Sequence, residues 1–430
     1  MNLAWQQRVG QNDTNTGYNS ENGSWTEKYK LINVANNIIY ALKNVPQNTD
    51  AEKLGVIKVD GEARFLRAYY YFWLVNLYGK PYLASTASSD LGVPIKISEK
   101  VEDKLFQRNT VQAVYDLILS DLLQAETDLA QTGAQTSIYR ADVTAVRFLL
   151  SRVYLYMQNW EKASEYAQKV IDVHPDLVTL SSTFGNFLSK SSVENIFSMG
   201  GSSLPSFFSD SFKAFQTSDE LYNSYANNDL RKNAFWYKYN KFVGYAKVAP
   251  VTSDGKDVTD PQYYYYSYFY RWQNSLSPIS DKFLFRSAEA YLLKAEADAY
   301  RGEEDDSRTA LNTLRRARFV SGSNYEVKAT GKDLVDSIRL ERRRELALEG
   351  QRWFDLRRYS VCEKYPESNA IVHKYWYYKE RNSSKKTECH VFTFEPNDKA
   401  YVLNIPQSVL DYNSEMQNNE RPVRIYTVTK

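Results

Sequence analysis

The stretch Gly61–Tyr78 places apolar and aromatic residues on nearly every side of a helix. Ala68–Val75 within it is an unbroken apolar run of eight residues. A helix that is apolar all round must be enclosed by neighbours, so this one demands a packed helical surrounding. The run falls far short of the roughly 18–20 apolar residues needed to span a bilayer. Gly79 and Pro81 stop the helix.

Other helices follow the same logic. Trp25–Lys43 carries Leu31, Ile32, Ala35, Ile38, Ile39 and Leu42 at helical spacing. Asn109 and Thr110 offer an N-cap region for a helix running to about Ala130. In Tyr139–Pro175, the residues Leu150, Ser151, Tyr154, Ala163 and Pro175 fall at the offsets of a tetratricopeptide repeat. Two helices with a tight turn near Asn159 are expected there. Ser280–Arg301 followed by Asp306–Val320 repeats the plan around Gly302. Helix pairs of this kind need stacked neighbours to bury their faces.

The chain has 430 residues, enough for two to three domains or one large composite. It needs neither disulfides nor metals to hold a core of that size. With 54 Lys and Arg against 52 Asp and Glu, the net charge is +2 and gives no global footprint for nucleic acid. His174, His373 and His390 share no metal-ligand spacing, and Cys362 and Cys389 form no CxxC pair. No metal, cofactor or catalytic triad is expected on these residues. Cys362 and Cys389 flank the late irregular segment, and either a bridge between them or two free thiols is compatible with the sequence.

Glu341, Glu345 and Glu349 stand at i, i+4 and i+8. Paired carboxylates raise the question of glycosidase chemistry. A glycosidase acid needs a raised pKa, however, and Arg342, Arg343, Arg344 and Arg352 crowd the same stretch. The stripe is read as a structural ion network, with Arg64 and Arg67 as candidate partners. The acidic turn Glu303–Asp306 lacks the ligand spacing of a calcium loop and is read as a solvated helix start.

The surplus is aromatic: 35 Tyr, 20 Phe and 8 Trp. Sugar rings lay apolar C–H faces on aromatic rings, and their hydroxyls need amides and charges nearby. Four segments mix these residue types. The N-terminal lead supplies Trp5, Asn12, Asp13, Tyr18 and Asn22. Ala234–Tyr245 supplies Trp236 and Tyr237. Tyr263–Trp272, read as a strand, supplies Tyr264, Tyr266 and Trp272. The late segment supplies Trp376 among Tyr375, Tyr377 and Tyr378. The competing reading for each ring is packing against the helices. For Tyr69–Trp73 packing is the expectation.

Four longer strings carry a resemblance. GEARFLRAYYYFWLVNLYGKPY at Gly61–Tyr82 resembles a signature of the SusD/RagB family. FLFRSAEAYLLKAEADAYRG at Phe283–Gly302, ERRRELALEGQRWFDLRRY at Glu341–Tyr359 and YVLNIPQSVLDYNSEMQNNE at Tyr401–Glu420 resemble further family segments in the same order. Together they cover most of Trp25–Glu420.

The resemblance implies a mostly α fold, with tetratricopeptide-like helix pairs scaffolding an irregular region with short strands. It implies a single composite domain over 1–430. The helical scaffold would occupy about 25–175 and 280–360, and the irregular ligand-binding region about 178–280 and 361–400. It implies a non-enzymatic lipoprotein on the outer face of the outer membrane. Such a protein binds glycans, or in some members peptides, for a SusC-like TonB-dependent transporter. A helical-repeat scaffold for another protein is the next reading, and a glycoside hydrolase the last. The family opens with a lipoprotein signal whose Cys carries the lipid. No Cys precedes Cys362 here, so the expectation is a chain shortened at its N-terminus. The tail reads Asp-Tyr-Asn-Ser at 411–414 where the family has Asn-Pro.

Overall fold

The computed structural model describes residues 21–135, 137–181, 187–201, 217–239, 242–245, 247, 279–280, 282–378 and 386–429. Among them the longer helices are α1 (Glu21–Ala41), α2 (Asp50–Tyr78), α3 (Val111–Leu129), α4 (Val143–Tyr156), α5 (Trp160–Val173), α6 (Ser287–Arg301), α7 (Glu304–Arg316), α8 (Gly331–Glu345) and α9 (Arg352–Ser360). The strands are β1 (Asn195–Phe197), β2 (Trp236–Tyr239), β3 (Phe242–Tyr245), β4 (Phe285–Arg286), β5 (Ile371–Tyr378), β6 (Lys386–Phe394) and β7 (Tyr426–Thr429). The mostly α expectation holds. No described helix is long and apolar enough to cross a membrane. The chain divides into two compact units, Met1–Thr132 with Trp353–Lys430, and Gly133–Arg352.

In the first unit, α2 packs against α1 and α3. It begins well before Gly61 because Thr49 and Glu52 form a capping box. The Thr49 hydroxyl accepts from the Glu52 N–H, and the Glu52 carboxylate accepts from the Thr49 N–H at 2.9 Å. Gly61 sits against α3, where an added Cβ would lie 2.8 Å from Leu129 Cγ. Tyr69, Tyr70, Tyr71 and Phe72 are buried, as their all-round pattern requires. Arg67 donates to Asp121 Oδ2 at 2.7 Å and Oδ1 at 2.6 Å, and to Asn36 Oδ1 at 2.9 Å. Arg64 joins Asp121 at 3.3 Å. These two arginines tie α2 to α3 and do not serve the glutamate stripe, which corrects that expectation.

The late segment is also more regular than its sequence suggests. β5, β6 and β7 form an antiparallel sheet in the order β5-β6-β7. Its run IVHKYWYY shows no clean alternation of apolar and polar residues, so the period of two is masked. Cys362 and Cys389 are both buried and free.

In the second unit, α4 and α5 form the expected pair. The Ser151 hydroxyl donates to Ala163 O at 2.8 Å, and Tyr154 stacks on Tyr166 with centroids 5.7 Å apart. Asn159 caps α5 by accepting from Lys162 N. The Tyr291 hydroxyl reaches Pro175 O at 3.0 Å. α6 and α7 repeat the plan: Ser307 Oγ donates to Ala295 O at 2.7 Å. Gly302 ends α6 at φ +87°, a left-handed cap that favours glycine. α6 starts at Ser287 and not at Ser280, because Phe285–Arg286 is taken up as β4 against β1.

Candidate functional site

Trp5, Asn12, Asp13, Tyr18, Tyr264, Tyr266 and Trp272 lie outside the described residues. Asn22 is in the first turn of α1, and Tyr237 is in β2 opposite Gly244. Trp236 is only 3% exposed. It belongs to an apolar cluster with Leu188, Tyr225, Phe235, Val243, Leu284 and Ala347. The cluster buries the start of the β2–β3 hairpin, so Trp236 is a core ring and not an exposed stacking surface. That corrects its place among the ligand candidates.

Trp376 is 37% exposed on β5, opposite Cys389 of β6. Strand alternation separates it from Tyr375 and Tyr377, which share the other face. On that face the rings form a ladder across the three strands. Tyr375 and Tyr377 lie 5.0 Å apart, Tyr377 and His390 4.4 Å, and His390 and Tyr426 4.1 Å in a near-parallel stack. His390 Nε2 is 2.8 Å from Glu388 Oε1. Tyr375 and Tyr426 remain 40% and 44% exposed. Sequence reasoning placed Tyr375 and Tyr377 beside Trp376 and gave Tyr426 no role. The register of the sheet, which brings Tyr426 over Phe392, is the missing signal.

Within the second unit lies a buried ion network. Arg286 donates to Glu345 Oε1 at 2.7 Å and Glu194 Oε2 at 2.9 Å, and reaches both oxygens of Glu349. Arg318 donates to Glu194 Oε1 at 2.6 Å and Glu345 Oε1 at 2.9 Å. Arg231 donates to Glu345 Oε2 at 2.9 Å and Asp229 Oδ2 at 2.7 Å. Arg315 pairs with Glu341. The Lys247 ammonium donates to Glu349 Oε1 and to Glu345 O, both at 2.7 Å. α8 ends at Glu345, so Glu349 joins the stripe from the following turn.

Burial works to raise the Glu345 carboxyl, but Arg318, Arg286 and Arg231 hold it well below the ordinary range. Glu341 is lowered against the same burial by Arg231, Arg315 and Arg344. Burial pushes Lys247 down to about 8, with Glu349 opposing. None of these lowered carboxyls can carry a proton to a leaving group near neutral pH, which a glycosidase acid must do. The stripe therefore acts as the clamp that fixes β4, α8 and the chain after β3. His174 Nδ1 lies 2.8 Å from Ser287 Oγ, and Ser287 is fully buried. Among the described residues no group of three or more His, Cys, Asp or Glu side chains is placed to hold a metal ion.

Two family models together match residues 1–422 of this chain. The one described as SusD family covers residues 155–422. The chain belongs to the SusD family. The second, described as starch-binding associating with outer membrane, covers residues 1–155. A SusD-like protein of Formosa agariphila is 26% identical over 380 residues, 78% of this chain and 70% of that one. The starch-binding protein SusD of Bacteroides thetaiotaomicron is 33% identical over 129 residues, 29% of this chain and 20% of that one. Among solved structures, a SusD-like carbohydrate binding protein from Bacteroides vulgatus matches with a TM-score of 0.68 at 22% identity, covering 99% of this chain and 92% of its own. A SusD superfamily protein from Bacteroides thetaiotaomicron also gives 0.68, at 24% identity, covering 92% and 85%. These structural likenesses establish the SusD fold of this chain.

Proposed function

We propose that this SusD-family chain is a non-enzymatic glycan-binding protein of the cell surface. It holds oligosaccharides or polysaccharides at the outer face of the outer membrane and passes them to a SusC-like TonB-dependent transporter. A covalently attached lipid anchors it there. The observation that carries the reading is the pair of family matches running from residue 1 to residue 422. The names of relatives, starch-binding and carbohydrate binding, support the ligand class. Within the chain, the N-terminal lead, Tyr237, the Tyr263–Trp272 segment and Trp376 are the proposed contacts.

Affinity electrophoresis of the intact protein through gels cast with a panel of polysaccharides tests the reading. At least one glycan is expected to retard it, and Trp376→Ala is expected to weaken that retardation without loss of stability. Trp236→Ala is expected to behave differently, costing about 3–5 kcal/mol of stability because a buried ring is lost. Free migration through every gel would overturn the ligand class. Release of reducing sugar would overturn the non-enzymatic reading. Purification from outer membranes without a transporter would remove the partner.

A further inference from the structure

Residues 325–330 run beside α7 as an extended strap, held by side chains of the helix. Arg315 Nε donates to Tyr325 O at 2.6 Å. Asn312 takes both backbone groups of Val327, accepting from its N–H at 2.8 Å and donating to its O at 3.1 Å. Arg308 Nη1 donates to Ala329 O at 3.2 Å. Strap numbers rise as helix numbers fall, so Tyr325 lies at the C-terminal end of α7. Between strap and helix is an open groove of about 540 Å³, wholly within the second unit. Small-molecule sites occupy about 300–1,000 Å³. The three rungs set the walls of the groove before any ligand arrives, which lowers the ordering cost of binding.

Most charges around the groove are already engaged. Arg308 pairs with Asp305, and Lys328 lies 3.6 Å from Glu326. Arg315 is taken by Tyr325 O and by Glu341. Arg316 is the cation left over. It lines the groove, is exposed, and forms no hydrogen bond or ion pair with a described residue. The hydroxyl of half-buried Tyr325, from the same end of the groove, likewise bonds to no described residue. Thr309 and Thr313 also line it. Their hydroxyls donate to Asp305 O at 2.9 Å and Thr309 O at 2.8 Å, which leaves their oxygens as acceptors.

We infer that this groove binds an acidic saccharide, with Arg316 on the carboxylate of a uronic acid unit. An unengaged guanidinium presents two parallel N–H donors that match the two carboxylate oxygens. Sugar hydroxyls both donate and accept. The Thr309 and Thr313 oxygens take their hydrogens, and the Tyr325 hydroxyl donates to their oxygens. A lone available cation among hydroxyl groups suits a ligand with one charge for several hydroxyls, which a run of carboxylates is not. The sugar class rests on the glycan reading, but the groove contains none of the contacts proposed there.

Isothermal titration of the intact protein at constant ionic strength tests it. The probes are the galacturonic acid trimer, its full methyl ester and triglutamate. The acid trimer is expected to bind saturably. The ester lacks the charge and the peptide lacks the hydroxyls, and each is expected to bind at least about tenfold more weakly. Arg316→Gln is expected to lose about tenfold for the acid trimer and to melt as wild type does, since the side chain is exposed and holds no described residue. Lys53→Gln removes the same charge from an exposed position on α2 and is expected to bind as wild type does. A wild type that does not bind the acid trimer overturns the site. So does equal binding of the ester or of triglutamate, or an Arg316→Gln variant that binds as tightly as wild type. A wild type retarded by a neutral polysaccharide in gels that still fails to bind the acid trimer loses this site and keeps the glycan reading.

Discussion

Glu345 accepts from Arg231, Arg286 and Arg318 at once, with its carboxylate fully buried. Removing the carboxylate strands three guanidiniums that keep only their other acceptors. Glu345→Ala is expected to cost about 3–5 kcal/mol, read as a shift in urea midpoint, because one partner of a buried network is lost and the rest stay buried. The need for cations was legible from the spacing of Glu341, Glu345 and Glu349, since like charges on one face repel. Which cations answer it was not. Arg231, Arg286 and Arg318 come from remote positions, and no local period marks them. Arg64 and Arg67 looked equally suitable until Asp121 was seen to hold both. Arg108 shows the same limit: it donates only to uncharged oxygens, among them Gly92 O, Tyr78 O and Gln417 O, so no acidic partner in the sequence announces it.

At the scale of elements, α2 and α3 approach closely because Gly61 has no side chain. An added methyl would meet Leu129 Cγ at 2.8 Å and Asp128 Cβ at 3.0 Å, atoms too near the α3 backbone to swing aside. Alanine favours a helix interior over glycine by about 1 kcal/mol. The clash outweighs that gain, and Gly61→Ala is expected to destabilise by about 1–3 kcal/mol, measured by thermal unfolding. Helices with a clear stripe or a full apolar girdle were readable, including the α4–α5 pair. Their edges were less so: the capping box at Thr49 extends α2 toward its N-terminus, and β4 takes the start expected of α6. The β5–β6 hairpin was hidden because both of its faces mix rings with charged residues. Its pleat divides Tyr375 and Tyr377 from Trp376, a distinction invisible while the segment was read as a loop.

For the molecule as a whole, acid is the most direct stress on the second unit. Glu289, Glu341 and Glu345 have folded-state pKa values below their ordinary value of 4.5. A depressed carboxyl contributes stability that is present above its unfolded pKa and lost as pH falls through the folded value. Urea midpoints followed from about pH 6 to about pH 3 are expected to fall steadily once pH drops below the ordinary carboxylate value. A flat profile would contradict the ion network. Family membership and the helical class were legible because long motifs in order encode packing. The ligand contacts were not, because stacking rings and core rings share one residue type and only burial separates Trp236 from Trp376. The network has a further consequence for how this chain can diverge. Lys247 Nζ and Phe283 N both bond to Glu349, so the two ends of the intervening stretch are pinned to one residue. Sequence change between those two anchor points is therefore compatible with the scaffold as long as Lys247, Phe283 and Glu349 keep these bonds.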